Sequence, residues 1–235
     1  MAAPLHDLPE SDPMTAVMDE PDLRRTALGD LNAKIQSCHA CPLGSQRTKA
    51  VPGEGPVDAD IMLIGEAPGY YEDQQGRPFI GAAGQFLETL LASIGLKRSD
   101  VFIANVIKCR PPGNRDPLPD EINACAGYLQ SQRETIKPKV IVTLGRYSLA
   151  KFFPGQPISK IHGQGRKVGD TWVVPMYHPA AALHQGSLRR TIEEDFKRIP
   201  GYVEKAREEE AAAAAEAAAA EAVVATPPAM QGKLF

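Results

Sequence analysis

DIMLIGEAPGYYEDQQGRPFIGAAG, residues 60–84, is the segment from which the architecture of this chain is read. Ile61 to Ile64 is an unbroken apolar run held between Asp60 and Gly65, which predicts a short buried strand. From Ala82 onward, Phe86, Leu87, Leu90, Leu91 and Ile94 recur at helical spacing and predict an amphipathic helix. The loop between them is long and carries Glu66, Glu72 and Phe79 among its glycines and prolines. A compact domain rarely keeps such a loop unless it serves a site. In an open α/β sheet the loop would open at the carboxyl end of its strand, where ligands bind. By itself the segment is equally compatible with a plain crossover whose acids are solvated.

Val101 to Val106, Val140 to Leu144 and Trp172 to Tyr177 repeat the strand signal further along. Pro119, Asp120 and Glu121 suit a first helical turn, and Arg146 to Phe152 and Ser187 to Ile199 predict two more helices. Strands alternating with helices imply a parallel sheet covered on both faces. Residues 1–26, rich in Pro, Asp and Glu, read as a disordered tail, with a short helix from Ala27 to Ile35 leading into the domain. The domain itself is read as 27–202. Residues 203–225, nearly all Ala and Glu, read as a helical spacer without an apolar stripe, and 226–235 as a short tip.

With 235 residues, 43% hydrophobic and 23% charged, the chain fits one soluble domain plus tails, or two small domains. A net charge of −3 argues against a protein that coats polyanions generally, but many acids lie in the tails, which leaves room for a local basic patch. No run approaches the ~20 apolar residues of a membrane span. The N-terminus has no cationic start before an apolar core, so no secretory signal is read there. The expected location is the cytoplasm, and the expected state is a monomer.

The chain has four cysteines: the pair Cys38 and Cys41 in a CxxC, then Cys109 and Cys125 far downstream. Each stands beside a loop or a helix start. Four thiolates can hold zinc or an iron–sulfur cluster, and the long second spacing departs from the close pairs of a zinc ribbon. Free cysteines can also be plain buried hydrophobes, a real alternative for Cys125 on an apolar helix face. With the CxxC present, a structural metal centre is the better reading.

Glu66, Asn105 and His178 each stand at or just past the carboxyl end of an expected strand. In a parallel sheet, three strands bring a carboxylate, an amide and an imidazole to one rim. An amide tells an N–H/C=O edge from an N/NH₂ edge, and an imidazole can donate to an oxygen that gains charge. A carboxylate can orient water or stabilise a cationic sugar, and Phe79 can stack on a heterocycle. Singly, each has a structural use: Asn105 as a turn cap, His178 bonding backbone before Pro179, Phe79 as core.

Gly65-Glu66-Ala67-Pro68-Gly69, Glu72-Asp73 and Gly76-Arg77-Pro78-Phe79 with Gly81 and Gly84 resemble the first motif of the family 4 uracil-DNA glycosylases. Asn105-Val106-Ile107-Lys108-Cys109-Arg110-Pro111-Pro112 and His178-Pro179-Ala180 resemble its later motifs, and the cysteines match its [4Fe-4S] ligands in order and spacing. The resemblance covers about residues 30–200. It implies a three-layer α/β/α sandwich with a four-stranded parallel sheet. It also implies removal of uracil from DNA by hydrolysis of the N-glycosidic bond, leaving an abasic site.

Carried over to matching positions, Phe79 would stack on uracil, Asn105 would read N3–H and O4, and His178 would stabilise the departing base through O2. Glu66 and Ala67 would line the pocket and water site, with Glu72 a second candidate for the catalytic carboxylate. Cys38, Cys41, Cys109 and Cys125 would bind a structural [4Fe-4S] cluster, zinc being the alternative. The chain departs from the family at Tyr70 and Tyr71, at Ala181-Ala182-Leu183-His184, and at Lys160-Ile161-His162. Leu183 is the expected wedge into the emptied duplex, and Arg77, Lys160 and His162 are expected DNA contacts. Lys108, Arg110, Arg115, Arg166, Lys167, Arg189 and Arg190 are further expected phosphate contacts.

Gln231-Gly232-Lys233-Leu234-Phe235 resembles the peptides with which bacterial DNA enzymes dock on the sliding clamp, so a clamp is the expected partner besides uracil-containing DNA. The competing readings are a non-catalytic module for uracil or abasic DNA, and a hydrolase of free nucleotides.

Overall fold

The structure, a computed structural model, describes residues 19–224. Residues 1–18 of the expected tail and the tip with Gln231, Leu234 and Phe235 lie outside the described residues. The chain folds into five strands, β1 (Ile61–Gly65), β2 (Phe102–Asn105), β3 (Val140–Leu144), β4 (Arg166–Val168) and β5 (Thr171–Met176), in the order β2-β1-β3-β5-β4. β1 lies parallel to β2 and β3, and β5 parallel to β3. The expected four-stranded parallel sheet is therefore extended by β4, which pairs antiparallel with β5 at the edge. Arg166 and Lys167 of this strand are exposed and carry no apolar run, which is why the sequence hides it. A short charged edge strand also blunts pairing with other chains.

The helices are α1 (Glu20–Gln36), α2 (Leu43–Gln46), α3 (Tyr70–Gln75), α4 (Ala82–Ser93), α5 (Pro119–Ile136), α6 (Arg146–Ala150), α7 (Ile158–Ile161), α8 (Pro179–His184), α9 (Ser187–Phe196) and α10 (Ile199–Val224). Every residue of β1, β2 and β3 is buried, so both faces of the sheet are covered. Strand alternation divides the core. Ile61 and Leu63 join Phe86, Leu87, Leu90, Leu91, Ile192 and Phe196 on one face. Met62 and Ile64 join Leu28, Cys125, Leu129 and Ile136 on the other. Among the described residues no helix is long and apolar enough to cross a membrane.

Both expected tail boundaries move. α1 starts at Glu20, inside the stretch read as disordered. Asp19 caps it by accepting from the Asp22 amide, Pro21 stands in its first turn, and Glu20 and Asp22 are acids at its positive end. The residues that lowered the hydrophobicity of the tail are thus a helix start. Arg24 ties the helix to the end of α5 by donating to the carbonyls of Thr135 (2.7 Å) and Ile136 and to that of Val57 (2.9 Å).

At the other end, α10 packs against the domain through Ile199, Val203 and Ala206. Its acids and Arg207 reach polar partners on the sheet: Arg207 pairs with Asp60 (2.5 Å), and Lys139 bridges Asp60 (3.1 Å) and Glu210 (2.9 Å). Glu209 accepts from Trp172 Nε1 at 3.1 Å. Contacts of α10 with the rest of the fold therefore continue to Glu210, past residue 202. A chain ending at Ala211 is expected to keep its melting temperature. One ending at Ile199 loses the buried Val203 and Ala206 side chains and melts roughly 5–10 °C lower in a circular dichroism scan.

Candidate active site

Glu66 follows β1, Asn105 ends β2 and His178 follows β5 by way of Tyr177. The three strands run parallel in one sheet, so their carboxyl ends share a rim. The structure brings Glu66, Ala67, Glu72, Phe79, Asn105 and His178 together as lining of one cleft, with about 1380 Å³ of empty space counted out to open solvent.

The site is crowded at its floor. A Cβ on Gly65 would stand 2.5 Å from the Phe79 ring and closer still to Asn105 Oδ1. A Cβ on Gly84 would overlap the Phe79 carbonyl. Phe79 itself has φ of 51°, a left-handed conformation that costs a non-glycine residue energy and survives only where the surroundings enforce it. Here Glu72 Oε1 accepts from the amides of Ile80 and Gly81, both at 2.9 Å. Arg98 donates to the carbonyls of Phe79 (2.8 Å) and Pro78. Arg98 is in turn held by Glu54, whose carboxyl is lowered to about 2 by Arg77 and then Arg98. Arg77, an expected DNA contact, thus has its guanidinium engaged by both Glu54 oxygens at 2.7 and 2.8 Å.

His178 caps α8: its Nδ1 accepts from the Ala180 amide at 3.1 Å. A ring nitrogen that accepts carries no proton, so the neutral ring bears its hydrogen on Nε2. Burial pushes the imidazole down to about 4, opposed only in part by the charge of Glu72. The ring lies 5.5 Å from that of Phe79, at 25° between planes. Asn105 is 1% exposed, and its Oδ1 has no hydrogen-bond partner among the described residues. A buried acceptor without a partner is costly and marks a place for a ligand N–H. Glu66 is raised above the usual carboxylate range by burial and by repulsion from Asp116, with Arg146 acting the other way. No hydrogen bond contributes to that shift, whereas Glu72 already uses an oxygen to hold the Phe79 loop.

Lys108, read as a phosphate contact, is 1% exposed and cannot reach DNA. Its Nζ donates to the Asn105 carbonyl (2.9 Å) and to Gln132 Oε1 (2.7 Å), and burial lowers it to about 8. Gln132 Nε2 continues to the Pro52 carbonyl at 2.7 Å. Only the pattern of polar groups within the fold reveals this network; in sequence, Lys108 looks like any basic loop residue. Arg115 pairs with Glu121 (2.6 Å), Lys167 with Glu209 (2.8 Å), Arg189 with Glu193 and Arg190 with Glu194 (both 2.9 Å). Arg166 lies over the Phe153 ring. His162 binds the buried Asp195 through Nδ1 at 2.7 Å. Lys160 and Leu183 are exposed on α7 and α8, and Arg110 lies over the Tyr70 ring. Asp116 and Arg146 were not singled out in the sequence; they act on Glu66 only through the fold.

On the opposite side of β2, Cys38, Cys41, Cys109 and Cys125 line one small cavity of about 20 Å³. All four are free. Arg47 Nη1 donates to Cys109 Sγ at 3.2 Å and the Ala40 amide to Cys38 Sγ at 3.4 Å, contacts that suit thiolate sulfur. Burial raises the Cys109 thiol and takes Cys125 to about 11, a cost that a bound metal centre would reverse. Among the described residues no three His, Cys, Asp or Glu side chains are gathered closely enough to hold one metal ion.

The family model of the uracil DNA glycosylase superfamily matches residues 52–199. Curated relatives include the type-4 uracil-DNA glycosylase of Sulfurisphaera tokodaii, 49% identical over 183 residues that cover 74% of this chain and 83% of that protein. That of Archaeoglobus fulgidus is 46% identical over 183 residues, covering 74% and 92%. That of Thermotoga maritima is 42% identical over 180 residues, covering 74% and 94%.

The crowding makes a paired prediction. Gly84→Ala should displace Phe79 and lower the melting temperature by roughly 3–10 °C, the range for overpacking. Gly127→Ala on the open face of α5, where nothing lies within 4 Å, should leave it unchanged or slightly raised.

Proposed function

Because the chain belongs to the uracil DNA glycosylase superfamily, we propose a course for the reaction at the cleft between β1, β2 and β5. The protein is a uracil-DNA glycosylase: it hydrolyses the bond between uracil and deoxyribose and leaves an abasic site for repair. What supports the residue roles best is the buried, unpartnered Oδ1 of Asn105 beside a neutral imidazole and an aromatic ring.

The base must leave the helix stack to reach these groups, at a cost of a few kcal/mol that is smaller for mispaired uracil. In the cleft it stacks on Phe79. Asn105 Oδ1 accepts from N3–H and its amide N–H donates to O4. Cytosine offers an acceptor at N3 and an amino group at the neighbouring carbon, so both contacts would fail. As the N1–C1′ bond breaks, its electron pair enters the pyrimidine ring and charge builds on O2. His178 meets it with Nε2–H, a neutral donor that need not first acquire a proton. Glu66 stabilises the cationic sugar and orients the water whose oxygen bonds to C1′, and the proton released goes to this carboxylate or to solvent. Glu66 is preferred over Glu72 because the latter is committed to the Ile80 and Gly81 amides.

Cys38, Cys41, Cys109 and Cys125 would hold a structural [4Fe-4S] cluster in this reading, with zinc the alternative. So held, it would tie the N-terminal segment to the loop after β2, away from the residues placed at the cleft. Leu183, exposed on α8, enters the space vacated by the base in this reading, and Lys160 and His162 contact the DNA. The chain works as a monomer in the bacterial cytoplasm. Gln231, Leu234 and Phe235 anchor it to the sliding clamp, with the free part of α10 as spacer. In a pull-down, removal of Leu234 and Phe235 should abolish clamp capture; unchanged capture rejects this role.

The decisive assay is alkaline cleavage of a uracil-containing oligonucleotide after incubation. Wild type should cut it, and Asn105→Ala should lower kcat/KM by roughly 10²–10³, as for loss of one preorganised partner. Intact strands with wild type would favour a non-catalytic binder, and base release from free deoxyuridine a nucleotide hydrolase. The pH profile separates the two titrating groups. Glu66 must be ionised, so activity should fall as pH drops through its raised pKa, while His178 stays neutral until about 4. Asp116→Asn removes the repulsion and should move that acid limb to lower pH; Arg146→Ala should move it up. Stability should also decline from pH 6.5 towards 4, because the unfolded chain protonates His178 and the native one does not.

A further inference from the structure

Two tyrosines stand at the mouth of the cleft without a partner that explains them. Tyr70 and Tyr71 open α3 and are 51% and 61% exposed, yet they line the same cleft as Glu66, Asn105 and His178. Their rings meet edge to face, with centroids 5.5 Å apart and planes at 80°. The Arg110 guanidinium lies 5.1 Å from the Tyr70 centroid and is itself held by Asn114 Oδ1 at 2.6 Å. Tyr71 leans over the Phe79 loop: a Cβ on Gly81 would be in ordinary contact with its ring, at 3.5 Å.

The support beneath them is rigid. Glu72 binds the Ile80 and Gly81 amides, and the buried Asp73 accepts from the Thr48 amide at 3.0 Å. A fixed pair of aromatic faces beside a cation matches one kind of partner at this place, a planar base on an anionic backbone. A protein partner fits poorly here, because it would close the mouth through which the DNA must enter.

We propose that Tyr70 and Tyr71, with Arg110, form a platform on which an unpaired base next to the extruded uridine stacks. This rests on the reading of the cleft as the uracil pocket, and it deepens that reading by assigning the flanking nucleotide. A flanking base in a duplex is already stacked and paired, whereas one in a single strand is free to move onto the tyrosines. The platform therefore favours single-stranded or locally opened DNA, and it acts on binding rather than on bond cleavage.

The test is steady-state uracil release from a uracil-containing single strand and from the matching duplex. It compares wild type, the double variant Tyr70→Ala/Tyr71→Ala and the double variant Tyr70→Phe/Tyr71→Phe. The alanine pair should raise KM for the single strand roughly tenfold, change KM for the duplex less, and leave kcat within about twofold, while the phenylalanine pair stays near wild type. A second strand with abasic spacers flanking the uridine should raise the wild-type KM similarly and leave that of the alanine pair unaltered. A single-strand KM within twofold of wild type, an equal rise on both substrates, or an alanine pair that still senses the spacers overturns the platform alone. No uracil release by wild type from either substrate overturns the underlying reading as well.

Discussion

Where β1 ends, the chain has no side chain to spare: Gly65 touches the space taken by the Asn105 amide and the Phe79 ring. The buried amide and the aromatic floor can share one cleft only because that position is empty. The same closeness recurs at Gly84, which lets the first turn of α4 press on the Phe79 backbone and hold it in a left-handed conformation. Strain in Phe79 is thus stored locally and offset by the hydrogen bonds of Glu72 and Arg98 around it. A cleft built this way is preorganised, so little ordering remains to be done when a ligand arrives.

A second set of buried polar groups stands behind the first. Lys108 donates to the main-chain carbonyl of Asn105 and to Gln132, so the buried Asn105 is braced through its own backbone. Cys109 follows Lys108 directly, and Cys125 lies on the same helix as Gln132. The cysteine cavity and the cleft therefore share one short stretch of chain, with the lysine between them. Full burial of an ammonium group is tolerable only with its hydrogen bonds made, which gives this stretch little freedom to shift.

How much of this was legible beforehand follows from how local each signal is. The apolar runs of β1, β2, β3 and β5 declare themselves, because strands buried on both faces must be apolar throughout. β4 does not, since an exposed edge places no such demand on Arg166 and Lys167. The acids and proline before Arg24 read as a disordered tail, and only docking on α5 distinguishes such a stretch from a capped helix. Lys108 and Arg77 read as free cations, whereas Lys108 is buried on two hydrogen bonds and the half-exposed Arg77 is paired with Glu54.

What the order of residues determined alone is the four parallel strands β1, β2, β3 and β5, and therefore the rim on which Glu66, Asn105 and His178 meet; periodicity and connection rules suffice for that. Tertiary structure decided the states of those groups. Which nitrogen of His178 holds the proton, which Glu72 oxygen is engaged, and that Asn105 keeps an acceptor free depend on partners brought from distant segments. Hydrogen bonds and burial are properties of neighbours in space, and a sequence names its neighbours only along the chain.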